Sequence, residues 1–159
     1  MTKHTRRVLE LGVGLALALA IVLTVSADWH QRTAAQVRAD TLRLHILANS
    51  DTLDDQLLKL QVRDAVLAAL PPAVTEAATP DEAAAALQYA LPALQQAADT
   101  ALHRAHSPQA ARLRLEQWDF AARDYGSFTL PGGAYTALRI ELGEARGRNW
   151  FCVLYPALC

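Results

Sequence analysis

LRLHILANSDTLDDQLLKL, residues 42–60, changes its hydrophobic period partway along. Leu42, Leu44 and Ile46 alternate with Arg43 and His45, the period of two that marks a half-buried strand. Asn49, Ser50 and Asp51 follow, and side chains of this kind accept hydrogen bonds from the free amides at a helix start. The stretch therefore reads as a strand that turns directly into a helix, from about Leu53 to Leu70. On that helix Leu53, Leu57, Leu60 and Leu67 share one stripe, which is expected to face the core, and Asp64 falls within it. A carboxylate there either caps an amide or pairs with an arginine such as Arg43, or else burial makes it a general acid or base. With no second catalytic group at a fixed spacing, the structural role is favoured.

Downstream, Pro71-Pro72 stops the helix, since proline lacks an amide hydrogen and restricts the residue before it. A linker runs to Thr79. Thr79-Pro80-Asp81-Glu82 then combines an N-cap, a first-turn proline and a glutamate that reaches back. A second helix, with a kink expected at Pro92, carries Ala83, Leu87, Leu91, Leu94, Ala98 and Leu102 on one stripe as far as about His106.

From Ser107 the period returns to two. Arg112–Phe120 reads as a second strand. A third begins at Ser127, is interrupted at Pro131-Gly132-Gly133, and resumes from Ala134 to Leu142 with Leu138, Ile140 and Leu142 facing inward. Gly143–Gly147 is expected to be a hairpin loop leading to a last strand, Asn149–Tyr155. That last run is apolar on both faces, which points to a central position. The fold class is α+β: an N-terminal signal or anchor helix, then a strand, two helices and three to four largely antiparallel strands.

Upstream, Lys3, Arg6 and Arg7 precede an apolar run, Leu11–Val25, followed by Val25-Ser26-Ala27. These are the three parts of a secretory signal, with cleavage expected between Ala27 and Asp28. An uncleaved membrane anchor is the alternative, and in both cases the remaining chain lies outside the cell that makes it. Residues 1–27 form the signal or anchor, 28–40 a tether, and 41–159 a single domain with ample apolar content at 52% hydrophobic residues. Without the first 27 residues the chain holds 12 basic and 15 acidic side chains, a net charge of −3. No basic stripe suited to nucleic acid is present.

The common catalytic patterns are missing. Ser127 lacks a nucleophile elbow, the two adjacent glycines Gly132 and Gly133 make no phosphate loop, and Asp51, Asp54 and Asp55 lack EF-hand spacing and suit a helix N-terminus instead. His103 and His106 have no third metal ligand nearby. No cofactor is indicated. Export permits a disulfide between the two cysteines, Cys152 and Cys159, provided that Pro156 reverses the chain. Two buried thiols, or one reactive cysteine, remain as alternatives.

The A-N-S-D turn at Ala48–Asp51, the D-Q-x-L-K-L-x-V-R-D run at Asp55–Asp64 and the N-W-x-C-V-L-x-P-x-L-C run at Asn149–Cys159 together resemble the stage II sporulation protein R family of endospore-forming bacteria. That resemblance implies a non-catalytic signal, made in the forespore and exported into the space between the two cells. There it would activate a membrane-embedded aspartic protease of the mother cell, which processes the precursor of the early mother-cell sigma factor. Candidate receptor contacts are Asn49, Ser50, Asp51 and Asp55 in the turn and Arg146, Arg148, Asn149 and Trp150 at the last loop. Helix capping and turn chemistry account for the same residue types. An exported enzyme using Cys152 or Asp64 and a cell-wall-binding module are the alternatives.

Overall fold

The structure, a computed structural model, describes residues 3–126 and 128–159. Helix α1, Lys3–Ala39, is continuous through the apolar segment and the stretch expected to be a tether. The chain divides after Gln36, and Val37–Cys159 forms a compact unit of its own.

In that unit, β1 (Leu42–Leu47) is followed by α2 (Leu53–Ala68), a one-turn α3 (Pro72–Thr75) in the expected linker, and α4 (Pro80–Arg104). The strands β2 (Ala111–Phe120), β3 (Arg123–Asp124), β4 (Thr129–Leu130), β5 (Gly133–Leu142) and β6 (Asn149–Tyr155) complete it. The α+β class therefore holds, with one refinement. Phe128–Leu130 does not open the third long strand, because β4 pairs with β3 in a separate ribbon. Ser127 lies outside the described residues.

The main sheet runs β2-β5-β1-β6. β5 pairs with β1 in parallel and with β2 antiparallel, and β6 pairs antiparallel with β1. Two expectations are corrected by this order. The strand expected to be half-buried, β1, is central and buried on both faces, whereas β6, expected to be central, is an edge. An apolar run on both faces reports what lies above and below a strand, not what lies beside it. Nor is Gly143–Gly147 a hairpin loop: β5 and β6 flank β1, so this segment crosses over the end of β1.

One sheet face carries Leu42, Leu44, Ile46, Leu138, Ile140, Cys152 and Leu154 and packs with the helices. α4 contributes Ala83, Leu87, Leu94, Ala98 and Leu102 as its stripe predicts. Thr79 caps it by accepting from the Glu82 amide at 3.2 Å, and Glu82 Oε2 accepts in return from the Ala78 amide at 3.0 Å. α2, by contrast, is rotated from expectation. Its buried face is Leu58, Lys59, Val62 and Val66, while Leu53 and Leu57 are exposed. Asp64 is exposed too and pairs with Arg63 at 2.6 Å, not with Arg43.

The other sheet face forms a second, smaller core of Phe120, Tyr135 and Ala137 with Phe151 packed against it. Arg43 and His45, the polar members of the β1 alternation, lie within this layer at 1% and 3% exposure.

Candidate functional site

The crossover brings together the two segments singled out from the sequence. β1 ends beneath Gly143–Arg148, so the chain leaving it, Ala48–Asp51, meets that loop edge to edge. Arg146 N donates to the Asn49 carbonyl at 3.2 Å and Gly147 N to the Ala48 carbonyl at 2.8 Å. Asn49 Oδ1 accepts from the Glu144 amide at 3.0 Å, and Asp51 Oδ1 from the Arg148 amide at 2.6 Å. Glycine is required twice here. A Cβ on Gly147 would overlap the Ser50 carbonyl oxygen, and one on Gly143, at φ +56, would overlap Asn49 Oδ1.

Asp55 is the hub. Its Oδ2 accepts from Ser50 Oγ at 2.5 Å and Asn49 Nδ2 at 2.9 Å, and its Oδ1 accepts from Gln109 Nε2 at 2.5 Å. These donors, Ser50 first and then Asn49, hold its carboxyl below the usual aspartate range, against a smaller opposing effect of burial. The helix cap is one residue later than expected: Thr52, not Asn49, Ser50 or Asp51, accepts from the Asp55 amide at 3.4 Å. Anchoring Asp55 also sets the rotation of α2. Leu58, Val62 and Val66 lie three, seven and eleven residues beyond it, on the same face, and so turn into the core with it.

Lys59 closes the cluster from below. Buried at 4% exposure, it donates through Nζ to Gln56 Oε1 at 2.7 Å and to the Arg148 carbonyl at 2.9 Å. Burial pushes its pKa down, and Asp51 partly opposes that. The Arg63 guanidinium lies 4.9 Å from the Trp150 ring centroid. The inner polar groups of the two loops thus satisfy one another, while Asp51, Arg146, Arg148 and Asn149 keep exposed surface. Trp150 is only half-buried. The result is an outer surface braced from beneath.

The other singled-out residues are dispersed. Cys152 is buried in the core, and the chain turns after Tyr155, whose peptide bond to Pro156 is cis, to bring Cys159 to it with a Cα–Cα distance of 5.4 Å. That spacing lies within the range for a disulfide. Cys152 thus faces Cys159, and Asp64 faces Arg63. His103 and His106 are exposed at the end of α4, and among the described residues no group of three or more potential ligands is placed to hold a metal. Ala27 and Asp28 lie within α1, where Asp28 pairs with Arg32 at 2.7 Å. From Leu11 onward this helix is long and apolar enough to cross a membrane.

Sequence reasoning missed the second-face layer. The Arg43 guanidinium lies 3.9 Å from the Phe120 ring centroid, and its Nη2 donates to the Tyr125 hydroxyl at 3.3 Å. His45 stacks on Phe151 at 4.7 Å. Burial, then the charges of Arg139 and Arg43, push the His45 pKa down to about 4. The available signal was the aromatic set at positions 118, 120, 135 and 151, which falls on the face that Arg43 and His45 share.

Comparison with known proteins places these features in context. The family model for stage II sporulation protein R matches residues 38–159. Stage II sporulation protein R of Bacillus subtilis (strain 168) is 32% identical over 148 residues, a span covering 91% of this chain and 66% of that relative. No solved structure matches.

Proposed function

This chain belongs to the stage II sporulation protein R family, and from that membership we propose that it is an exported forespore signal that activates a membrane-embedded aspartic protease of the mother cell. The protease then processes the precursor of the early mother-cell sigma factor. The observation that carries the proposal is the family match over residues 38–159, which spans nearly all of the compact unit. The N-terminal helix is compatible with export, either as a signal cut between Ala27 and Asp28 or as a retained anchor. Under this proposal the chain performs no catalysis. Its contribution is binding energy that favours the active state of the protease, which needs two carboxylates brought together. The braced turn and crossover loop supply the contact, through Asn49, Ser50, Asp51 and Asp55 and through Arg146, Arg148, Asn149 and Trp150. Cys152 and Cys159 form a disulfide that staples the chain after β6.

Co-production of the full chain with the protease and the sigma precursor in a non-sporulating bacterium tests this. Precursor cleavage is expected only when all three are present, to be unchanged by Asp64→Asn, and to survive Cys152→Ser in part. Exported chain that yields no cleavage contradicts the proposal. Complete loss from Asp64→Asn in a folded protein points to an enzyme, and sedimentation with purified peptidoglycan in the absence of membrane protein points to a wall-binding module.

A further inference from the structure

α2 has a second apolar stripe that the fold leaves unused. Leu53 and Leu57 are 72% and 50% exposed, and Leu60 is half-buried. They recur at i, i+4 and i+7, the anchor spacing by which a helix engages a partner's surface. The core has already taken the opposite side of this helix through Leu58, Val62 and Val66. Beside Leu57 runs a groove of about 480 Å³ between α2 and the turn after α4, walled by Leu57, Leu58, His106, Pro108 and Gln109, with Asp54 at its margin. Exposed leucines next to an open groove are the arrangement of a binding surface.

Charge selects the occupant. The stripe is bordered by Asp54, exposed in the first turn of α2, whereas Asp64 further along is already paired with Arg63. A helix that lies on a membrane surface carries lysine and arginine on its polar side, where anionic lipid attracts them. An acidic residue in this place disfavours lipid and complements a basic protein segment. We propose that Leu53, Leu57 and Leu60, with the adjoining groove, dock an extracellular segment of the partner protease in which apolar side chains are flanked by Lys or Arg. This rests on the signalling function proposed above and adds an apolar contact surface beside the braced turn.

The experiment uses the full chain in the same co-production system. A photo-crosslinking amino acid replaces Leu57 in one chain and Tyr89 of α4, 91% exposed, in another. Crosslinking to the protease from position 57 but not from 89 is expected. Leu53→Arg with Leu57→Arg is expected to lower precursor processing by about tenfold or more, as loss of a central apolar anchor does. Asp54→Lys is expected to lower it less, and Leu57→Met to preserve it, with thermal unfolding unchanged in Leu57→Met and only slightly lowered in the other two, whose new cations lie near the N-terminus of α2. Wild-type chain that gives no processing overturns the signalling function and this surface with it. Processing that persists in the double arginine variant, or position-57 adducts confined to lipid, overturns the surface alone.

Discussion

Arg43 and His45 show how a single strand can be read correctly and its environment wrongly. The alternation in residues 42–46 marks β1 and its inward leucines, but period two by itself assigns the polar residues of the other face to solvent. Whether they do depends on what strands more than sixty residues away place over them, and periodicity within β1 carries no such information. The consequence is measurable. His45 has a pKa of about 4 in the fold against 6.5 in a free chain. Between those values the unfolded chain binds a proton that the folded chain refuses, so stability falls as pH drops from about 6.5 toward 4. A shift of this size corresponds to ~3 kcal/mol when fully expressed. Urea unfolding of wild type and His45→Leu, close in volume, should show that slope in the first and little of it in the second. Asp55 acts in a lower range: its depressed carboxyl pKa adds stability above the usual aspartate value of 3.8 that is lost as pH falls below it. The two effects separate on the pH axis.

Among the elements, α4 is legible in its start and its buried stripe because its cap, its first-turn proline and its apolar periodicity all agree. α2 is legible as a helix but not in its rotation, since two apolar stripes compete and the leucine-rich one is the stronger pattern in the sequence. What decides between them is Asp55, whose bonds to Asn49, Ser50 and Gln109 are tertiary. The crossover was similarly hidden. A short glycine-containing segment between two strands usually makes a hairpin, and only the presence of β1 between β5 and β6 turns it into a bridge. That bridge makes the two candidate contact segments one structure, so damage to one loop should spread to the other. Gly147→Ala places a methyl group against the Ser50 carbonyl oxygen and is expected to cost about 2–4 kcal/mol. Hydrogen exchange should then show loss of protection at the Arg148 amide, and at the Glu144 amide that Asn49 holds. Unchanged protection in the variant contradicts the coupling.

For the whole molecule, the α+β class and the membrane-compatible N-terminal helix followed from residue patterns, and the family followed from three motifs. Two of those motifs owe part of their composition to the brace between the loops: Asn49 and Asp55 are engaged as acceptors and Gln109 completes the hub, while Lys59 supports the crossover from beneath. A partner surface leaves a weaker mark in sequence, because the same residue types serve caps and turns. The central claim is that the compact unit acts from outside the cell that makes it. The most direct measurement compares precursor processing by the exported chain with processing by Leu15→Arg/Leu19→Arg, which places two charges in the apolar helix and keeps the chain in the cytoplasm. With both proteins at equal levels, processing is expected from the exported chain and not from the retained one. Equal processing by the two would contradict the account.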